Sequence, residues 1–182
     1  MRKKQPILWG ILLGCLLLLS ACGYYFPHVY EGPQRTIYMP TWKNRSNKLN
    51  LDMKIYQSLS RWFQKAQSVD LTKERVGANY ALSGEILSID LPSVSWNTVS
   101  DATLTKVKLY VRYSLKDLKT GKILWDVPRK LYTADYTVQL ATSAADDEAL
   151  AKIIEDMSEN IYLGTLRILR KQPSATSATP AH

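Results

Sequence analysis

Thr103-Leu-Thr-Lys-Val-Lys-Leu-Tyr-Val-Arg-Tyr-Ser-Leu-Lys-Asp-Leu118 is the stretch that decides the fold. Val107, Leu109, Val111, Tyr113 and Leu115 fall on one face of an extended chain. Lys106, Lys108, Tyr110, Arg112, Ser114 and Lys116 fall on the other. Successive side chains of a strand point to opposite faces, so this alternation predicts a half-buried strand over Thr103–Leu118. Lys119-Thr120-Gly121-Lys122 follows, and Gly121 can take the positive φ a tight turn needs. Ile123–Val138 is then a second strand, with a bulge expected at Pro128, which cannot donate to a ladder. The two strands predict a long antiparallel hairpin.

Working outward, Asn79–Leu91 reads as another strand, with Tyr80, Leu82, Gly84 and Ile86 on one face. Gly84 marks a bulge or a close backbone approach. Arg35–Trp42 reads as the first strand, ended by Pro40 at a sheet edge or strand end. A polar loop, Lys43–Asn50, follows. Leu51, Ile55, Leu59, Phe63 and Ala66 recur at helical spacing, so Leu51–Ala66 is a helix with Asn50 as its N-cap. Ser143–Arg170 is a longer helix. Ser143 and Asp146 give a capping signature, and Leu150, Ile153, Ile154, Met157, Ile161 and Leu166 form its apolar stripe. Arg167, Arg170 and Lys171 suit the negative end of its dipole. The order is β-α-β-β-β-α. It predicts an α+β domain over 35–171, with two helices packed on one face of a four-stranded, mostly antiparallel sheet. Residues 172–182, rich in Ser, Thr, Ala and Pro, read as a disordered tail.

The amino terminus carries a different signal. Arg2, Lys3 and Lys4 precede an apolar run of about 13 residues, Ile7–Leu19, which suits a signal peptide and is short for a membrane span. Leu19-Ser20-Ala21-Cys22 then has the lipobox pattern: small residues admit a peptidase, and the thiol accepts a diacylglyceryl group. Residues 1–21 are thus expected to leave as a lipoprotein signal peptide, with Cys22 carrying N-acyl and diacylglyceryl lipid. Leu12-Leu13-Gly14-Cys15 competes, but cutting there would leave Leu16–Leu19 exposed and shorten the signal core. Residues 22–34 read as a lipidated tether whose Tyr24, Tyr25, Phe26 and Tyr30 suit either a membrane interface or the domain surface. Gly23, where Asp often marks inner-membrane retention, points to the outer membrane.

Composition narrows the partners. Roughly 160 mature residues suffice for one domain with its own core. With Cys15 removed and Cys22 acylated, neither of the two cysteines is free for a disulfide, although the compartment permits one. The net charge of +8 becomes +5 once Arg2, Lys3 and Lys4 are cleaved off. For an exported chain, that balance suits anionic envelope surfaces and excludes nucleic acid as the expected partner.

Four patterns, in order, resemble the LptE family of lipopolysaccharide-assembly lipoproteins. They are Cys22-Gly23-Tyr24; Ile37-Tyr38-Met39-Pro40 with Asn44 and Ser46; Ala78-Asn79-Tyr80 with Leu82 and Gly84; and Thr120-Gly121-Lys122-Ile123-Leu124-Trp125. The resemblance implies a plug inside the barrel of a larger protein, LptD, that supports its assembly, binds lipopolysaccharide and helps deliver it to the outer leaflet. Two departures stand out. Pro27–Gly32 replaces the family's frequent Arg-Gly, and Asn79 stands where an acid is frequent.

The residues themselves offer one candidate surface. Lys106, Lys108, Arg112 and Lys116 recur at about 6.6 Å per pair of residues, with Tyr110 among them, and can engage phosphates of lipopolysaccharide or an acidic partner. Glu85, Asp126 and Asp135 on neighbouring strands would neutralise the row and make it an ordinary solvated face. No nucleophile-elbow, phosphate-cradling or metal-spacing motif is present, so a non-enzymatic protein is expected, with no cofactor beyond the lipid on Cys22 and no metal. The other reading is a lipoprotein pilot or scaffold of a different envelope complex, without a lipid ligand.

Overall fold

The computed structural model describes Tyr30 and residues 32–91, 104–137 and 143–172, with backbone alone at 104–105, 136–137 and 143. The signal segment, Cys22, most of the tether, the polar loop after Leu91 and the tail from residue 173 lie outside the described residues.

The elements are β1 (Arg35–Tyr38), β2 (Lys43–Asn44), α1 (Leu51–Phe63), β3 (Val69–Thr72), β4 (Tyr80–Asp90), β5 (Leu104–Asp117), β6 (Ile123–Thr137) and α2 (Ser143–Arg170). The sheet is mixed and six-stranded, in the order β3-β1-β4-β5-β6, with β2 also pairing β4. The α+β class and both helices agree with the sequence reading; the four-stranded sheet does not. β2, of two residues, is too short to show a period, and β3, Val69–Thr72, alternates apolar and polar residues but is not among the strands read from the sequence. β1, expected to end at Trp42, stops at Tyr38 and lies parallel to both β3 and β4, inside the sheet. The parallel β1–β3 pair follows from α1, which carries the chain back between them.

The hairpin forms as predicted, with Lys106 opposite Asp135 and Leu115 opposite Trp125. The register shifts between Val111 and Tyr113, opposite Pro128 and Arg129, so the bulge expected at Pro128 is there. Gly84 is a site of close approach: a Cβ there would sit 2.2 Å from the Trp42 ring.

One face of the sheet is covered by both helices. Ile37, Leu82, Ile86, Val107, Leu109, Val111 and Leu115 are fully buried there against Leu51, Ile55, Leu59, Leu150, Met157 and Ile161. Each such side chain contributes roughly 1.5–3 kcal/mol by leaving water. The helices run in the same direction. Lys48, just before α1, pairs with Asp147 at the start of α2, and Trp62 near the end of α1 meets Tyr162. Tyr162, absent from the expected stripe, is wholly buried between Trp62 and Phe63.

Three details differ from expectation. Asn50 precedes α1 in a left-handed conformation, φ 59°, with no side-chain cap; its carbonyl accepts the Lys54 N–H instead. α1 ends at Phe63, and Ala66 is buried in a tighter turn in which its N–H donates to the Phe63 carbonyl. The capping role of Ser143 falls on a side chain outside the described residues. Tyr30 settles one open alternative: it is buried in the core, so this tether aromatic packs on the domain.

Candidate functional site: the open face of the sheet

The face away from the helices is built by β4, β5 and β6 and carries every predicted site residue except Cys22. Because β5 alternates so regularly, the same strand that buries Val107 to Leu115 presents Lys106, Lys108, Tyr110, Arg112 and Lys116 on this side. The register then decides what each cation meets. Lys106 lies opposite Asp135 and pairs with it at 3.4 Å; Lys108 lies opposite Asp90 and pairs with it at 3.4 Å. Arg112 lies opposite Glu85 and forms an ion pair with its carboxylate. Lys116 is exposed, lies between Ala81 and Ile123, and forms no ion pair with a described residue.

Glu85 is the centre of this face. It is 4% exposed although it points away from the core. Arg45, in the loop after β2, anchors its own N–H on the Ile86 carbonyl at 3.0 Å and closes over Glu85 from the other side. Burial opposes ionisation of this carboxyl, but Arg112 and then Arg45 outweigh it and hold its pKa below the ordinary value. Beside the trio, Ser83, Ser114, Asp126 and Pro128 line a depression of about 370 Å³. Asp126 borders that depression and forms no ion pair with a described residue.

Tyr110 is also engaged. The Arg129 guanidinium lies 4.4 Å from its ring centre, brought there by the bulge after Pro128. Arg129 and Arg45 are contributors the sequence reading missed. Arg129 needs the bulge and Arg45 needs β2 before either can be placed on this face. The acids were half-foreseen. Glu85 and Asp135 neutralise the row, and Asp90 takes the part expected of Asp126.

The row is therefore a charge-paired polar surface, not a bare cationic track. Its two Lys–Asp pairs involve side chains 41–56% exposed, and pairs this open contribute only ~0–1 kcal/mol. A phosphate could replace either carboxylate at small cost. In the Arg112–Glu85–Arg45 trio the carboxylate is buried and meets two guanidinium groups at once, although the arginine side chains are themselves 54% exposed. No group of His, Cys, Asp or Glu among the described residues is arranged to hold a metal ion. No helix of the described residues is long and apolar enough to cross a membrane.

A scaffold of this kind, with helices shielding one sheet face and a paired polar face left open, is a small α+β domain. The family described as LptE, lipopolysaccharide-assembly, matches residues 34–163. The chain belongs to the LptE family, whose members are non-enzymatic lipoproteins of lipopolysaccharide assembly. A search of curated proteins returns no match.

Solved structures share the fold. A putative lipoprotein from Caulobacter crescentus is 15% identical, covering 75% of this chain and 92% of its own, with a TM-score of 0.50. A protein from Xanthomonas campestris is 9% identical over 78% and 90%, TM-score 0.54. A hypothetical protein from Chlamydia trachomatis is 11% identical over 76% and 99%, TM-score 0.52. At these identities the likeness is one of fold alone. Asn79, the departure noted above, leaves that fold intact. Its side-chain oxygen accepts the Thr36 N–H at 2.8 Å, as a carboxylate would, and its own N–H returns a bond to the Thr36 carbonyl.

Proposed function

We propose that this chain works at the outer membrane, anchored by lipid on Cys22, as the partner and plug of an LptD-type β-barrel that delivers lipopolysaccharide to the outer leaflet. Beyond the family match, the observation that carries the reading is the open sheet face. Three strands of 11, 14 and 15 residues present a long, mainly polar surface that, apart from Arg45 over Glu85, no part of the described chain covers. The lumen of a large outer-membrane barrel is polar, and a plug needs such a surface where a globule docked on an apolar partner would need a greasy one. On this reading the exposed Lys106, Lys108 and Lys116, with Tyr110, meet phosphates of lipopolysaccharide or acidic groups of the lumen, while Arg112 is held back by Glu85.

The test has two arms. Copurification from detergent-solubilised outer membranes is expected to bring down a large β-barrel; recovery of a secretin or a peptidoglycan synthase instead would favour the pilot reading. Changing Lys106, Lys108 and Lys116 together to Glu is expected to weaken binding to purified lipopolysaccharide with the melting temperature unchanged. Equal affinity at low salt would refute the assignment of this face. Arg112 is left out of that set because a carboxylate in its place would face Glu85 and unfold the site.

A further inference from the structure

A second basic surface lies at the end of the domain where the chain enters from the tether. Tyr30 is buried there, and its phenol, Arg35 and Asp117 all act electrostatically on Tyr80. The β5–β6 turn is at the same end: the Leu118 N–H donates to the Asn79 carbonyl, and Asn79 is bonded to Thr36 of β1. So is the end of α2, because Gly164 lies under Trp125 and Arg170 is six residues further on, about 9 Å along the axis.

Residues 116–122 and 167–172 hold six cations, Lys116, Lys119, Lys122, Arg167, Arg170 and Lys171, and one acid, Asp117. All six cations are exposed. Asp117 is occupied by the turn, accepting the N–H groups of Lys119 and Thr120 at 2.8 and 3.1 Å. The contrast with the opposite end matters. Lys48, Lys106 and Lys108 are each matched to a carboxylate there, whereas Lys116, Lys119, Lys122, Arg167 and Lys171 enter no ion pair with a described residue. The dipole of α2 accounts for cations in its last turn but not for Lys119 and Lys122 on a hairpin. Like charges gathered without partners repel unless an external anion supplies the countercharge.

We propose that this end rests on an anionic phospholipid surface, with Lys119, Lys122, Arg170 and Lys171 against headgroup phosphates. The surface is the leaflet that holds the lipid on Cys22. The proposal rests on the anchor reading, and chain length supports it. Eight residues separate Cys22 from Tyr30, a reach of at most about 28 Å, so the anchor keeps this end near the bilayer and the opposite end away from it.

The experiment uses the acylated full-length mature protein in vesicles of phosphatidylcholine, and of phosphatidylcholine with phosphatidylglycerol in equal parts. A membrane-impermeant acetylating reagent, read by mass spectrometry, reports each lysine. Lys119 and Lys122 are expected to react about fivefold more slowly on the mixed vesicles, with protection lost at high salt, while Lys54 and Lys152 near the helix starts react equally on both. Equal rates for Lys119 and Lys122 on the two surfaces would overturn the proposal, as would equal protection of Lys54 and Lys152. Flotation with pure phosphatidylcholine reports the anchor separately. If the chain does not float there, the anchor reading fails. The basic end is then judged by whether the chain floats with mixed vesicles and Lys119→Glu/Lys122→Glu does not; flotation unaffected by that change overturns it.

Discussion

Two glycines in this fold pose the same steric problem and should answer it oppositely. A Cβ on Gly84 would sit 2.2 Å from the Trp42 ring, and a Cβ on Gly164 would sit 2.3 Å from the Trp125 ring. The atoms met differ. At Gly84 they belong to the fused centre of an indole that is 2% exposed and stacked on Tyr113. That ring has nowhere to go, and overpacking a filled core costs ~1–3 kcal/mol. Alanine recovers about 0.5–1 kcal/mol of backbone entropy in a strand, so Gly84→Ala should lose about 1.5 kcal/mol net. At Gly164 the first contact is the far edge of the Trp125 ring, which is only partly buried and borders an open groove with Lys130 and Arg167. The ring can swing aside, and alanine gains about 0.8–1 kcal/mol of helix propensity, so Gly164→Ala should be neutral within ~0.5 kcal/mol. Urea unfolding of the two variants reads both terms, and for a domain of this length the Gly84→Ala loss should lower the melting temperature by about 3–6 °C. In a Trp42→Leu background the cost of Gly84→Ala should largely vanish, a coupling of at least ~1 kcal/mol. Equal losses at the two glycines, or no coupling to Trp42, would refute the account.

Arg112→Glu should destabilise the domain far more than Lys106→Glu or Lys108→Glu, because it sets a second carboxylate against the enclosed Glu85; thermal melts of the three single variants check the order. Tyr162→Ala should cost about 3–5 kcal/mol, since this wholly buried ring is what Trp62 and Phe63 of α1 pack on, and denaturant titration measures it. Stability should fall on both sides of neutrality. Glu85, Asp147 and Glu155 have folded pKa values below the ordinary 4.5 and 3.8, so their contribution is present above those values and lost as pH falls through the lower folded ones. Burial raises Tyr80, Tyr113 and Tyr162 above 10.0, so what they contribute is present below that value and lost as pH rises past it. A melting temperature that is flat from neutral pH down through 3.8 would refute the acid limb.

What could be read in advance tracks how each element is buried. β5 buries one face and wets the other, so its period of two is written in every residue from Lys106 to Lys116. α1 and α2 each lay one stripe on a sheet, so their spacing is as plain. β2 could not be read, because a strand of two residues carries no period of its own, and the alternation of Val69-Asp70-Leu71-Thr72 in β3 is too brief to stand out without the pairing to β1 that fixes it. The parallel setting of β1 depends on where α1 delivers the chain, a tertiary fact invisible in Arg35–Tyr38 itself.

The site shows the same division more sharply. That Lys106, Lys108, Arg112 and Lys116 share a face follows from alternation alone. Which of them is neutralised follows only from register, and β4 shifts register between Ile86 and Ser88. That shift is what sets Asp90 opposite Lys108; without it, every residue of β4 beyond Ile86 would move one place and point to the other face. A single irregularity thus decides whether Lys108 meets Asp90, whereas Arg112 and Lys106 meet Glu85 and Asp135 independently of it. On that paired surface one cation, Arg112, is bound to the fold and two lysines remain exchangeable. The binding of an anionic ligand to this face should therefore be weak per contact and steeply salt-dependent, because a phosphate that arrives at Lys106 or Lys108 must displace a carboxylate already there. A salt-insensitive affinity for lipopolysaccharide would mean that the ligand is held elsewhere on the molecule.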